Sequence, residues 1–508
     1  MQKIFPIVSG RGVTIAMMVK EKNWMKKLSL HYEKTRSLHP ADQLMVIFDI
    51  DGTILDMRYM IVYVLKSFDR RHSTGFFNTL TVSDVKVHEN LIDSLVGTFV
   101  PSQKQREEVI NWYVTYRWSS DSILESHRPF EGVMEVIRWF QMQPNTSVGL
   151  NTGRPEHLRA DTLRSLNALG KEYKVTFSND LLYMNPHGWE KHVSVSKAEG
   201  IRDFQRKGYR IFGYIDNEPE NLLVVSEQDL HQEILLLHAN TIFESKRKQL
   251  PSHSVRGKKY DLTELIPERT LPRHVQFVWH GVNDKANLRQ FATSNVQWAE
   301  LDVRLDPMRE HVILRHDSFT ETPAVEGEEF MLLDDALDTL QQLGKSIKLD
   351  LKENVVLLEK VLVLLSLHKV ESRDLWFNGN VDVLQKEGFA ELFAVYPEAI
   401  IQCPIDFLAP MIIRLPEKTR ETLELFCEWG INRFSLGWKT PGMVGLLNQL
   451  DQWDFDMNIY NVPDLESFLR AVLLQPTSIT SDFNFPKWHY FGRGSGENRK
   501  HYEYLMRS

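Results

Sequence analysis

Two aspartates separated by one residue, Asp49 and Asp51, close an apolar run in VIFDIDGT (Val46–Thr53). Met45–Phe48 reads as a buried parallel strand and Gly52 lets the backbone turn sharply away, so Asp49 falls at the strand's carboxyl end, where open α/β sheets place their ligands. A carboxylate there is a poor nucleophile unless a cation neutralises the incoming phosphate. A second carboxylate two residues on can then hold or release the leaving group's proton. Three further stretches have a similar build. SVGLNTGRP (Ser147–Pro155) is an apolar strand ending at Thr152, with Gly153 and Arg154 behind it; Lys197 opens an expected helix, Lys197–Lys207; YRIFGYIDNEPEN (Tyr209–Asn221) is a strand ending at Asp216, followed by Glu218 and Glu220.

A second set of polar residues lies in the C-terminal half. His280 ends one apolar run, Glu300 and Asp302 share a face of the next, His316 and Asp317 end a hairpin run, and Lys348, Asp350 and Lys352 share a face of another. Period two puts alternate strand residues on one face, and in a closed barrel that face is the interior, so these groups converge at one mouth. Two imidazoles around three carboxylates make a candidate cation site with acid and base beside it. Burying so many unpaired charges for structure alone would be costly. For Asn378, Gln402, Trp438, Tyr460, Asn461 and Asp482, hydrogen bonding within the barrel is expected at least as much as substrate contact, and Lys348 is a candidate partner for Asp350.

These groups need two scaffolds, because 508 residues are too many for one ordinary core. Residues 1–43 read as a basic, flexible leader, 44–243 as a first domain, 244–273 as a Pro-rich linker, 274–490 as a second domain and 491–508 as a tail. The first domain carries a helical insert at about 56–145, with helices expected at Tyr59–Phe68, Val85–Val96 and Gln103–Trp118, then Val133–Phe140; aromatics such as Tyr59, Tyr63, Trp112, Tyr113 and Tyr116 are expected in its core. In the second domain, strand-like runs recur between helical patterns near Val275–Trp279, Trp298–Leu305, Ser346–Leu351, Leu375–Asn378, Ala399–Gln402, Ile431–Leu436, Met457–Tyr460 and Ser478–Asp482, with His311–Arg315 as a hairpin. That alternation predicts a (β/α)₈ barrel. Composition is that of a soluble globular protein, with 42% apolar and 25% charged residues. A net charge of −8 and no basic stripe argue against a nucleic-acid partner. The two cysteines, Cys403 and Cys427, suit a reducing, cytoplasmic setting, and no apolar run is long enough to span a membrane.

In order and spacing, D-x-D-G-T, NTGRP, Lys197 and the strand ending at Asp216 resemble the four motifs of the haloacid-dehalogenase (HAD) superfamily of phosphohydrolases. The resemblance implies Asp49 as nucleophile, Asp51 as acid and base, Thr152 and Lys197 on the phosphoryl oxygens, Thr53 and Gly153 as further phosphate contacts, and Mg²⁺ held by Asp49, the Asp51 carbonyl and Asp216. Asn217 stands where many relatives have a second aspartate, leaving Glu218 or Glu220 as the second acidic ligand. The insert looks like that family's helical cap, which closes over the site and chooses the substrate. Further on, H-x₁₉-E-x-D-x₁₃-H-D followed by K-x-D-x-K resembles the phospholipase C-like phosphodiesterases, glycerophosphodiester phosphodiesterases among them. WHGVNDKANL, AELDVRL, WFNGN, NIYNVPD and SDFNFP are more similar to the menorin family. That resemblance implies His280 and His316 as acid and base, Glu300, Asp302 and Asp350 as ligands of a divalent cation (Mg²⁺ or Ca²⁺), and Lys352 on phosphate. Gly281 stands where the diesterases usually have arginine, which removes a bidentate phosphate donor.

The expected fold class is therefore α/β: a HAD-like Rossmannoid parallel sheet with a helical cap, followed by a (β/α)₈ TIM-type barrel. The expected activity is phosphate-monoester hydrolysis in the first domain, with the barrel cleaving a diester in series. The alternative is a HAD phosphatase whose barrel binds a phosphorylated or lipid-like ligand, or a protein, without turnover. Neither the substrate nor the oligomeric state is written in these motifs.

Overall fold

In β1 (Gln43–Phe48), Leu44, Val46 and Phe48 point into one apolar cluster and Met45 and Ile47 into another. A strand apolar on both faces belongs at the centre of a parallel sheet. The computed structural model, which describes residues 23–188, 193–241, 249–325, 327–353, 355–483 and 485, places it there. β2 (Thr146–Pro155), β3 (Leu182–Asn185), β4 (Tyr209–Asp216), β5 (Leu235–Ala239) and β6 (Val255–Gly257) complete an all-parallel sheet in the order β3-β2-β1-β4-β5-β6. The chain leaves β1 towards β2 on one side and returns to β4 on the other, so the topological switch point falls between β1 and β4, beside Asp49 and Asp216.

Two expectations for this half need correction. Residues 24–38 of the expected leader form a helix, Trp24–Leu38, whose Trp24, Met25, Leu28 and Tyr32 are buried. Its lysines lie among that apolar stripe in the sequence and mask the periodicity; residues 1–22 lie outside the described residues. The expected linker supplies β6 and the short helix Leu262–Leu265, with Tyr260, Leu262, Leu265 and Ile266 buried. Its apolar residues come in pairs too short to show a period, between prolines and lysines. Trp24 fastens the two segments together: Nε1 donates to the Lys259 carbonyl at 2.6 Å, the ring lies 5.0 Å from that of Tyr260, and a Cβ on Gly257 would come within 2.1 Å of Trp24 Cγ.

The insert is helical over Arg58–His72, Asp93–Phe99, Gln103–Tyr116 and Ser120–Ser126. The helix expected at Val85–Val96 forms only from Asp93 onward. A 3₁₀ turn, Val82–Asp84, closed by a reciprocal Thr81–Asp84 capping box, ends before it, and His88 and Glu89 fall in irregular chain ahead of Asp93. Of the aromatics expected in the core, Tyr113 is buried, whereas Tyr59 and Tyr116 are exposed and Tyr63 and Trp112 half-buried.

β7 (Gln276–Trp279), β8 (Trp298–Leu305), β9 (Val312–Leu314), β10 (Met331–Leu332), β11 (Ser346–Leu351), β12 (Leu375–Gly379), β13 (Ile400–Pro404), β14 (Arg433–Gly437), β15 (Met457–Val462) and β16 (Ser478–Ser481) form the second sheet. All but the antiparallel β9 and β10 are parallel neighbours, and β7 pairs with both β16 and β8, closing an eight-stranded barrel. The expected fold class is thus observed in both halves. Its register stacks the interior in layers: Trp298 lies opposite Ser346, Glu300 opposite Lys348 and Asp302 opposite Asp350. Trp298 and Trp376 meet edge to face at 5.6 Å and plug one end. The barrel helix Leu465–Leu473 packs on the first domain's helix Val133–Gln141, where Arg470 lies 3.3 Å from Glu135 and Arg138 donates to the Leu473 carbonyl. Residues 491–508 lie outside the described residues.

Because Trp24 joins the N-terminal helix to the segment after β5, Trp24→Ala is predicted to destabilise the protein by about 3–5 kcal/mol. A urea unfolding midpoint unchanged from wild type would contradict this packing.

Candidate active site

The register of β1, β2 and β4 sets Asp49, Asn151 and Asp216 at one level, and one ammonium group ties them together. Lys197, fully buried on the helix Val193–Arg206, donates to Asp49 Oδ1 at 2.5 Å, to the Asn151 carbonyl at 2.6 Å and to Asp216 Oδ2 at 2.9 Å. It sits in the second turn of that helix, not at its start. Asp216 is also held by Tyr214 Oη (3.0 Å), the Glu218 amide (2.9 Å) and the Asn221 side chain (3.0 Å). Burial, with Asp216 and Asp51 nearby, pushes the Asp49 carboxyl up to about 8 against the pull of Lys197. Two buried carboxylates thus share a single cation.

That imbalance is the test of the expected Mg²⁺. Hard carboxylate oxygens at two adjacent strand ends, under-neutralised and buried, suit such an ion, so the residues fit it. Asp49 and Asp216 would hold it. Asn217 does not replace the missing acidic ligand, since its side-chain oxygen faces Thr53 Oγ1 at 3.5 Å. Glu218 turns towards the cap, with Oε1 3.2 Å from His88 Nε2.

Asp51 is gripped by a residue to which the sequence assigned no role. Arg154 donates from Nε and Nη2 to the two Asp51 oxygens at 2.8 and 2.6 Å, from Nη1 to Thr162 at 3.0 Å, and lies 5.0 Å from the Trp118 ring centre. Such a two-pronged grip fixes the carboxylate's direction as well as its charge. The Arg154 amide donates to Thr152 Oγ1 at 3.2 Å, so the same turn also places the expected phosphate-binding hydroxyl. Gly153 must be bare: a Cβ there would come within 2.7 Å of Val193 on the Lys197 helix. Thr53 is fully buried and its carbonyl accepts the Tyr260 hydroxyl at 2.9 Å, so it holds the D-x-D-G-T loop in shape. Asp49, Asp51, Thr152, Lys197 and Asp216 are therefore brought together. Arg154, His88 and Glu89 complete the surroundings; the Arg directly behind Thr152-Gly153 was the only visible signal for them.

The barrel arranges its charges differently. Glu300 Oε1 pairs with Lys348 Nζ at 2.9 Å, not leaving that lysine for Asp350. Lys352 bridges Asp302, at 3.0 Å, and Asp350. Burial pushes Asp302 up, but Lys352, His316 and His280 outweigh it and hold the group below the usual carboxylate range. His280 Nδ1 lies 3.2 Å from Asp482 Oδ1 and Nε2 4.0 Å from Glu300 Oε2; these carboxylates overcome burial and raise His280 to about 9. Asn378 donates to Asp350 and Gln402 to Asn378, as internal hydrogen bonding would have it. His316 is exposed and paired with Asp317 at 2.7 Å. All three expected cation ligands already pair with a lysine, two of them sharing Lys352. Among the described residues, no three His, Cys, Asp or Glu side chains gather as a metal-holding group.

No protein-family model and no curated protein matches the chain. Solved structures do. A phosphodiesterase from Oleispira antarctica, solved with sn-glycerol-3-phosphate, is 14% identical with a TM-score of 0.32, covering 47% of this chain and 98% of its own. A glycerophosphodiester phosphodiesterase from Agrobacterium tumefaciens is 13% identical, with a TM-score of 0.28 over 41% of this chain and 96% of its own. A protein named as a phosphatase, from Clostridium acetobutylicum, is 13% identical, with a TM-score of 0.28 over 43% of this chain and 95% of its own. Likenesses this slight decide nothing about activity. No helix among the described residues is long and apolar enough to cross a membrane.

Lys348→Met is predicted to strand Glu300 in the barrel and to cost about 3–5 kcal/mol, with Glu300→Gln on the same chain restoring part of the loss. Additive effects of the two changes on the urea midpoint would mean the pair does not act as one.

Proposed function

We propose that the first domain is a Mg²⁺-dependent phosphohydrolase that removes phosphate from a monoester through an aspartyl-phosphate on Asp49. The observation that carries this is Lys197, whose single ammonium joins a strand-end nucleophile, a second strand-end carboxylate and the backbone beside Thr152. Asp49 Oδ attacks phosphorus in line as the bond from phosphorus to the alcohol oxygen breaks, and Asp51 supplies the proton that oxygen takes up. Asp51 then takes a proton from the water that attacks the aspartyl-phosphate, which frees phosphate and restores Asp49. Thr152 and Lys197 hold phosphoryl oxygens throughout, and Arg154 keeps Asp51 aimed at the reacting oxygen. The bound Mg²⁺ would supply the positive charge that lets an anionic carboxylate approach an anionic phosphate.

For the barrel, the lysine pairing of Glu300, Asp302 and Asp350 favours a module that binds a ligand without turnover. Cleavage of a diester in series is the competing assignment.

Phosphate release with Mg²⁺, from a panel of monoesters and the matching diesters, separates these assignments. Asp49→Asn is predicted to lower monoester turnover by roughly 10³-fold or more, while Glu300→Gln with Asp302→Asn leaves it within about threefold. Full turnover in Asp49→Asn would end the aspartyl-phosphate mechanism. Diester cleavage that leaves monoester accumulating in Asp49→Asn, and is lost in the barrel variant, would make the barrel an enzyme.

A further inference from the structure

Where the chain returns from the cap it is anchored on the chain going out: the Asp56 amide donates to the Arg128 carbonyl and the Phe130 amide to the Ile54 carbonyl, each at 2.9 Å. His127 stands just before this pairing, 2% exposed. Its Nε2 lies 3.2 Å from Arg154 Nη2 and its Nδ1 2.8 Å from Ser165 Oγ, which donates to the Ile123 carbonyl at 3.0 Å. Ile123 belongs to the cap helix Ser120–Ser126. A continuous row of hydrogen bonds therefore runs from Asp51 through Arg154, His127 and Ser165 into the cap.

The chemistry of these groups fixes each proton along the row. A guanidinium only donates, so His127 Nε2 must offer a lone pair to Arg154. The ring is then neutral with its proton on Nδ1, which donates to Ser165 Oγ, and the hydroxyl proton goes on to Ile123. Burial, with the charges of Arg154 and Arg128 beside it, holds His127 well below its ordinary pKa and keeps that lone pair free.

Arg154 is 1% exposed, and its Nη2 carries two N–H bonds that diverge at a fixed angle in the guanidinium plane. One reaches Asp51 Oδ1 at 2.6 Å and the other His127. An acceptor at His127 thus sets the rotation of the fork that grips Asp51. Without it a buried N–H loses its partner, and the guanidinium can recover one only by turning, which carries the Asp51 grip with it.

Resting on the hydrolase assignment above, we infer that His127 is a positioning residue for proton transfer by Asp51: it accepts from Arg154 and so sets the direction in which Arg154 aims that carboxylate at the leaving oxygen. Its effect passes through Arg154, so it bears on the step that needs Asp51 as an acid and not on the seating of phosphate at Thr152 and Lys197.

The test compares kcat/KM, which reports the steps up to departure of the alcohol, for ethyl phosphate and p-nitrophenyl phosphate in the full chain with Mg²⁺. Ethoxide leaves poorly without a proton, whereas nitrophenolate leaves readily without one. His127→Asn keeps a donor for Ser165 and withdraws the acceptor from Arg154; His127→Gln keeps an acceptor for Arg154. In His127→Asn, kcat/KM for ethyl phosphate is expected to fall roughly 10- to 100-fold while that for p-nitrophenyl phosphate stays within about threefold. In His127→Gln both are expected to stay within about threefold of wild type. An equal fall for the two esters in His127→Asn overturns the inference, as does a His127→Gln defect that matches that of His127→Asn. If His127→Asn does not fold, Ser165→Ala decides: it removes the acceptor that keeps the proton on Nδ1, and the same selective loss is expected, an equal loss or none overturning the inference. Wild type that releases no phosphate from either ester in an Asp49-dependent way removes the hydrolase assignment and this inference with it. Asp49-dependent release without the selective loss removes this inference alone.

Discussion

One buried ammonium group sets the geometry of the first domain. Lys197 reaches Asp49, the Asn151 carbonyl and Asp216 because β1, β2 and β4 are parallel neighbours whose register sets these three positions at one level. A parallel sheet of the order β3-β2-β1-β4-β5-β6 has one place where two neighbouring strands send their connections in opposite directions, and the two carboxylates stand there. Remove the charge and two acids are left facing each other out of water, which neither hydrogen bonding from Tyr214 and Asn221 nor packing can offset. The apolar alternation of β1 matters for the same reason. Leu44, Val46 and Phe48 on one side and Met45 and Ile47 on the other fix the strand's register, and a slip of one residue would carry Asp49 away from the lysine.

The two domains meet a similar electrostatic problem with different partners. In the first, two carboxylates share one ammonium and Asp51 is held separately by Arg154, an arrangement short of positive charge at the reacting centre. In the barrel, Lys348 lies opposite Glu300 and pairs with it, while Lys352, just beyond β11, pairs with both Asp302 and Asp350. Each of the three carboxylates there has a lysine partner. This arrangement stabilises a polar barrel interior and leaves His280, held by Asp482, as its main group raised towards the charged form near neutral pH.

What could be read from the sequence follows from where its signals are local. The strands of both sheets that end in D-x-D-G-T, NTGRP and YRIFGYID, and those of the barrel, announce themselves by apolar runs with a polar stop, and they lie within a residue or two of where they were expected. β3 and β5 were missed because LYMN and LLLHA are short and lack a distinctive end. The helix at Trp24 and the strand at Val255 were missed for the opposite reason: their apolar residues are real but are spread among lysines and prolines, and only tertiary contact with one another reveals them. The residues carrying the HAD-like motifs converge as their order implied. The partners of those residues were not legible, because Arg154 to Asp51 and His88 to Glu218 join segments far apart in the chain, and no local pattern encodes such a pairing. His316 stands at the solvent-exposed edge of the barrel mouth, paired with Asp317 and near enough to Asp302 to lower its carboxyl.

The hydrogen bond from Tyr260 to the Thr53 carbonyl gives the boundary between the domains an unexpected character. Tyr260 lies after the last strand of the first sheet, in chain that leads directly to the barrel, yet it braces the loop that carries Asp49 and Asp51, and Trp24 braces it in turn. The first domain is therefore not a cassette that ends where its obvious motifs end. Recombination or truncation that cut the chain shortly after β5 would keep every residue of the catalytic signature and lose the strut beneath it. The first domain's foundation therefore extends through the stretch that connects it to the barrel.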